Sequence, residues 1–272
     1  MVRWPLLLLL AWSAAFAEDG AYLLQAAGCA TCHTAEGGPP LAGGRPFATD
    51  FGVFYSPNIT ADRETGIGSW SRTDFIAALK HGIAPDGSAY FPVFPYPSYR
   101  LMTDADAGKI YDELQTRPAH RQANQEHETP WWLSRWMMKP WQWWTLEEPS
   151  PAPEDPELAR GRYLVDALGH CTECHTPRDW LGASIRGRYL AGTVRGPEGD
   201  KVPNITPDRV DGIGKWDSDD LTYFLESGQL PDGDYTGGLM TDVIDHATSR
   251  LSAGDRRAMA AYLQSIAALP GP

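Results

Sequence analysis

Two stretches of the chain, Cys29-Ala30-Thr31-Cys32-His33 and Cys171-Thr172-Glu173-Cys174-His175, each set two thiols and an imidazole within five residues. Residues i, i+3 and i+4 share one face of a helical turn, so this spacing presents both sulfurs and the adjacent ring to the same side. Two such thiols can add to the two vinyl groups of a porphyrin while the imidazole approaches the iron from below, and C-x-x-C-H is the attachment signature of c-type haem. Taken alone, the four cysteines also fit two short-loop disulfides, one four-cysteine zinc site or a redox dithiol. Those alternatives leave His33 and His175 without a role. The expectation is two covalently bound haem c groups, attached at Cys29 and Cys32 and at Cys171 and Cys174, with His33 and His175 as iron ligands.

The elements that position these groups come twice. "GAYLLQAAGCATCHT" (20–34) lines up with "GRYLVDALGHCTECHT" (161–176), the second copy carrying one extra residue, His170. "PNITADRETGIGSW" (57–70) matches "PNITPDRVDGIGKW" (203–216) without a gap. The register continues through Gly82, Pro85, Asp86 and Gly87 against Gly228, Pro231, Asp232 and Gly233. Such an internal repeat marks one structural unit used twice. Ser71-x-x-Asp74 and Asp217-x-x-Asp220 have the form of helix starts, followed by Phe75, Ile76 and Leu79, or Leu221, Phe224 and Leu225, at helical spacing. Thr103-x-x-Asp106 and Ser252-x-x-Asp255 open a further pair, ending near Leu114 and beyond Leu263. Helices are also predicted before each C-x-x-C-H motif, through Tyr22, Leu23 and Ala26 and through Tyr163, Leu164 and Ala167. Long period-two alternation is missing, so strands should be few. Each unit reads as all-α, wrapped round a flat apolar group that supplies much of its core.

The repeat also locates the sixth iron ligands. Met240 follows Asp232 by eight residues, on a glycine-rich loop before the last helix, and a thioether there suits haem iron. Phe94 stands at the corresponding place in the first copy. That copy has Met102 instead, directly before Thr103, where the second has Leu251 before Ser252. The two units exchange ligand and filler, and Met102 is the favoured first ligand. Simple packing at the position before a helix cap is the alternative for Met102, and Met137 and Met138 rank below it because they lie outside the repeat.

Through "RYLVDALGHCTECHTPRDWLG", "PNIT", "GIG-x-W", "PDG", "FPYPSY" and "GGLM", nearly the whole mature sequence resembles the cytochrome c subunits of periplasmic, membrane-associated alcohol, aldehyde and sugar-acid (gluconate-type) dehydrogenases. The resemblance implies two tandem class I cytochrome c domains and electron transfer from a flavin or quinoprotein dehydrogenase towards a quinone, or another cytochrome or oxidase, of the respiratory chain. It also supports Met102, since family members carry the first-haem methionine within the proline-aromatic loop or shortly after it before "TD". Such subunits usually show three haem motifs and a C-terminal membrane segment; this chain shows two motifs.

The expected organisation is a signal peptide at 1–17, cleaved after Ala17 for export to the periplasm, a first domain at 18–116, a linker at 117–156 and a second domain at 157–272. Trp70, Trp216, Asn58 and Asn204 are candidates to donate to haem propionates, with core packing as the alternative. His81, His120, His127, His170 and His246 read as surface or structural groups, His170 lying beside Cys171 where it could touch a haem edge. The linker stretch "TPWWLSRWMMKPWQWW" holds six tryptophans within fourteen positions (131–144), ahead of the extended "PSPAPEDP". It reads either as packing across the two domains or as a docking surface for a dehydrogenase or peripheral membrane contact. With Lys+Arg 23 against Asp+Glu 35 the net charge is −12, which would be repelled by a nucleic-acid backbone and attracted by a basic partner. The reading is therefore an electron carrier. Its rivals are a dihaem peroxidase-like enzyme and a redox or gas sensor, each of which needs one open iron position.

Overall fold

A computed structural model describes residues 19–146 and 148–272. The predicted signal peptide and its cleavage site lie outside the described residues. In chain order the helices are α1 (Gly20–Ala26), α2 (Cys29–His33), α3 (Arg72–His81), α4 (Tyr96–Tyr99), α5 (Asp104–Thr116), α6 (Met138–Thr145), α7 (Pro156–Arg162), α8 (Thr172–His175), α9 (Ser218–Ser227), α10 (Leu239–His246) and α11 (Ala253–Ser265). A π-helical segment, Tyr163–Leu168, continues α7. Among the described residues, strands are limited to one antiparallel hairpin, β1 (Pro46–Thr49) and β2 (Gly52–Tyr55), with Phe47 opposite Phe54.

Local sequence accounts for the helix ends. The predicted starts at Ser71 and Asp217 are full capping boxes, each side chain accepting the third residue's N–H while that residue's carboxylate accepts in return. Both helices stop at a left-handed glycine, Gly82 and Gly228. Thr103 and Ser252 cap α5 and α11 through the Asp106 and Asp255 N–H groups. Within each half the first helix crosses the last: α1 packs on α5, and α7 on α11. The crossings are close because glycine sits in them. A β-carbon on Gly20 would stand 2.3 Å from the Lys109 carbonyl oxygen, and one on Gly161 2.0 Å from that of Ala258.

The buried residues of the two halves form one continuous cluster rather than two separate cores. Leu23, Tyr99, Met102, Ile110 and Leu114 of the first half join Leu164, Val165, Leu168, Met259 and Leu263 of the second. The cause is direct contact of α1 and α4 with the π-helical segment. The linker is likewise docked along much of its length. Glu128 exchanges main-chain hydrogen bonds with Val53 on the hairpin. Met138, on α6, is buried with Phe54, Ala89 and Phe91 of the first half, while Trp141 Nε1 donates to the Leu181 carbonyl of the second at 2.9 Å.

Most of the tryptophan-rich segment does not pack across the halves, which corrects one of the two expectations for it. Trp131, Trp136, Trp143 and Trp144 are each at least 74% exposed and Trp132 is half exposed, leaving Trp141 as the ring that joins the halves. An amphipathic helix of eight residues has one inward face, and here Met138, Trp141 and Thr145 occupy it. Trp180 is 84% exposed, one residue from the carbonyl that Trp141 binds, so the exposed rings continue onto the second half.

Candidate haem-attachment sites

Each C-x-x-C-H motif forms one short helical turn, α2 or α8, immediately after the first helix of its half. His33 Nδ1 lies 2.7 Å from the Pro57 carbonyl oxygen, and His175 Nδ1 lies 2.8 Å from that of Pro203. In both, the ring N–H is donated backwards, so the tautomer is set and Nε2 keeps its lone pair for a metal. Burial lowers the pKa of both imidazoles and keeps them neutral, as a ligand must be.

The shelf behind each histidine is built twice to one plan. Gly43 and Gly192, at φ 78° and 76°, donate their N–H to the main-chain carbonyls of His33 and His175. A β-carbon on Gly43 would stand 2.5 Å from Pro57, and one on Gly192 2.6 Å from Asn204, so the loop carrying each prolyl carbonyl lies flush against bare backbone. Leu41 and Leu190, both buried, hold left-handed conformations at φ 62° and 56°. They accept Ile59 and Ile205 N–H and donate their own to Thr34 and Thr176 Oγ1. Strained positions of this kind persist only where surroundings over-determine them. These residues escaped the sequence reading, although the tripeptide Leu-Ala-Gly recurs at 41–43 and 190–192 and carries the signal.

The asparagines have a different duty from the one expected. Asn58 Nδ2 donates to the His120 carbonyl at 2.7 Å and to Thr65 Oγ1 at 3.1 Å, while Oδ1 accepts from the Thr60 N–H and hydroxyl. Asn204 Nδ2 donates to the Leu269 carbonyl at 2.7 Å, and its Oδ1 accepts the Thr206 N–H. Each amide thus ties the Pro-Asn-Ile-Thr loop to the chain that returns after the last helix of its half. It holds the histidine-orienting carbonyl one residue away. Trp70 and Trp216 are half-buried, and among the described residues neither indole N–H meets an acceptor. Their carbonyls accept from Tyr111 and Gln264.

Met102 is 2% exposed in the turn after α4, within the main cluster. Met240 is half-buried in the first turn of α10, so a helix stands where a loop was expected. Gly238, at φ 61°, turns the chain into that helix. Phe94 is half-buried against Tyr99, and Leu251 is buried in the main cluster. Met138 is buried in the separate cluster with Phe54, and Met137 packs against it, which sets both apart from Met102.

The donor chemistry fits haem c. All four cysteines are free thiols. Burial pushes Cys29 and Cys171 up to about 12 and Cys174 up to about 11, whereas a redox dithiol needs a stabilised thiolate. Among the described residues no group of three or more His, Cys, Asp or Glu side chains could hold a metal ion by itself. What remains is two thiols and one metal-ready imidazole per turn, the donor set of a covalently tethered haem.

The extra residue of the second copy sits elsewhere than its alignment suggests. The π-helical segment absorbs it, as one-residue insertions in helices do. His170 consequently takes the position of Gly28, directly before the first cysteine, with φ 40° against 62°.

The chain is similar in sequence to known cytochromes. The chain is 41% identical over 268 residues to the gluconate 2-dehydrogenase cytochrome c subunit of Pantoea cypripedii, covering 93% of this chain and 60% of that one. It is 41% identical over 266 residues to the diheme cytochrome c-type protein of Cereibacter sphaeroides, covering 93% and 86%. The fructose dehydrogenase cytochrome subunit of Gluconobacter japonicus is 37% identical over 256 residues, 92% of this chain and 52% of that one. No family profile matches the chain. These relatives are cytochromes or cytochrome subunits, which sets the chain among electron-transfer cytochromes of the c type. The chain belongs to the dihaem c-type cytochromes, and it is similar to the cytochrome c subunits of gluconate, alcohol and fructose dehydrogenases. It spans 60% of the gluconate subunit and 59% of the alcohol dehydrogenase subunit of Gluconobacter oxydans.

Proposed function

We propose that the protein is an exported, periplasmic dihaem cytochrome c that takes electrons from a flavin or quinoprotein dehydrogenase and passes them to a quinone, cytochrome or oxidase. Two tandem units, 18–116 and 157–272, carry one haem c each. Haem supplies one-electron exchange between ferrous and ferric iron. The residues that would attach it are Cys29 and Cys32 or Cys171 and Cys174, and those that would hold the metal are His33 and Met102 or His175 and Met240. Trp70 and Trp216 offer free indole N–H groups for propionates, and Asn58 and Asn204 act through the adjacent prolyl carbonyls.

The observation that carries this reading is the doubled shelf: His33 Nδ1 on Pro57 and His175 Nδ1 on Pro203, each with its Leu-Ala-Gly backbone behind it. His33 with Met102, and His175 with Met240, would hold each iron from both sides, an arrangement that would suit one-electron exchange. Support for a membrane-facing role of the 131–144 segment is the exposure of its indoles, a side chain favoured at lipid interfaces. Among the described residues no helix is long and apolar enough to cross a membrane. A pyridine haemochrome assay tests the cofactor count, with two per chain expected. Low-spin spectra with a near-infrared methionine-to-iron band from both centres test the ligation, and a high-spin centre with peroxide turnover would refute it.

A further inference from the structure

One side chain of the second half reaches across to the attachment turn of the first. His170 precedes Cys171 as Gly28 precedes Cys29, and a β-carbon placed on Gly28 would lie 4.0 Å from His170 Nε2. That is ordinary contact distance, so the ring of one half reaches to the glycine that opens the attachment turn of the other. It stands edge-on to Tyr99, with centroids 5.5 Å apart and planes at 89°. The Tyr99 hydroxyl in turn donates to the Ala27 carbonyl, one residue before Gly28, at 2.8 Å. From the same helix as Tyr99, the Ser98 hydroxyl donates to Glu173 at 2.6 Å and sits 3.2 Å from the Thr172 hydroxyl, so the second turn is pinned to the first half at further points. A non-glycine residue at positive φ is sparsely populated, and here the packing between halves holds it there.

We propose that His170 is a positioning residue for electron exchange between the two haems: lying against Gly28 and edge-on to Tyr99, its ring sets how the two Cys-x-x-Cys-His turns sit against each other. The inference rests on the two-haem reading above. Exchange moves one electron, oxidising one iron from ferrous to ferric and reducing the other from ferric to ferrous, with no bond made or broken. Its rate therefore depends on the fixed geometry of the attachment turns, and pre-set geometry is lost steeply when a positioning contact is removed.

The test uses the full haem-loaded chain. His170→Gly restores the residue of the first half, relieves the backbone and removes the ring; His170→Gln keeps bulk and polarity. Intramolecular exchange after pulsed one-electron reduction is expected to slow by about tenfold in the glycine variant, with both midpoint potentials and both spectra unchanged. In the glutamine variant it should stay within about twofold of wild type. A merely structural filler would lower the melting temperature and leave the exchange rate alone. Unchanged exchange in His170→Gly, or slowing that follows a shifted potential, overturns the proposal. Should that variant fail to retain both haems, His170→Asn tolerates the same backbone while withdrawing the ring, and is read by the same outcomes. A wild-type haemochrome count other than two removes the two-haem reading itself, which separates that failure from one of the positioning role alone.

Discussion

Tyr22 and Tyr163 are exchanged between the halves of the molecule. Each leaves the first helix of its own half and binds the start of the last helix of the other. The Tyr163 hydroxyl donates to Asp106 at 2.8 Å and accepts the Thr103 N–H at 3.2 Å. The Tyr22 hydroxyl donates to the Asp255 carboxylate and accepts the Ser252 N–H at 3.0 Å. The clamps are reciprocal in geometry but not in consequence: Thr103 follows Met102, a proposed iron ligand, whereas Ser252 follows Leu251, a filler.

Replacing Tyr163 by Phe should therefore loosen the first methionine as well as the fold. Loss of the two hydrogen bonds is expected to cost about 1–3 kcal/mol in either Tyr163→Phe or Tyr22→Phe, measured by denaturant unfolding. Only Tyr163→Phe should weaken or shift the near-infrared methionine band of one haem. Equal spectral effects from both variants would contradict the assignment of Met102.

Met102→Leu separates ligation from packing, because it keeps volume and apolarity while removing the sulfur. Its stability cost is expected to stay below about 1.5 kcal/mol. One of the two haems should nevertheless lose its methionine band, turn high-spin, and fall in potential by on the order of 100 mV, axial ligands being the main control of potential. Met240→Leu should do the same to the other haem. An unchanged spectrum in Met102→Leu would make Met102 a core residue only.

The crossed clamps also set an acid limit. Burial pushes the Asp255 carboxyl up, but hydrogen bonds from Arg160 and Tyr22 outweigh it and hold the group below its usual range. Asp106 behaves alike, with burial opposed by Tyr163, Lys109 and Thr103. A carboxyl whose folded pKa is depressed adds stability above its unfolded pKa, near 3.9, and that stability is lost as pH falls towards the folded value. Unfolding midpoints measured from neutral pH downward should drop steeply below about pH 4. Asp255→Asn should be less stable at neutral pH and show a shallower acid drop. A variant with the wild-type acid profile would exclude Asp255 as its source.

The exposed indoles predict surface binding without a stability role. Trp143→Ser with Trp144→Ser should leave unfolding within about 0.5 kcal/mol of wild type, since exposed positions seldom matter to the fold. Co-sedimentation with phospholipid vesicles should weaken by about tenfold or more, given roughly 25 cal/mol per Å² of apolar area removed from water. Trp141→Ser should instead destabilise, because that ring joins the halves through Leu181. If vesicle binding is absent in the wild type, the face is left to a protein partner.

The amino-acid sequence by itself determined what is local or repeated: two Cys-x-x-Cys-His turns, capping boxes at Ser71 and Asp217, caps at Thr103 and Ser252, and a unit used twice. Those features depend on spacings of three or four residues, or on self-comparison, and need no knowledge of packing. The tertiary structure decided the rest. It turned the tryptophans outward, joined two expected cores into one, moved the inserted residue from His170 into the π-helical segment, and gave Asn58 and Asn204 to the returning chain. It also brought Tyr22 to Asp255 and His170 to Gly28. Contacts between residues more than 140 apart in the chain follow from how two like surfaces meet. No periodicity within either copy encodes that meeting, because each copy's pattern specifies only which face is buried, not which neighbour covers it.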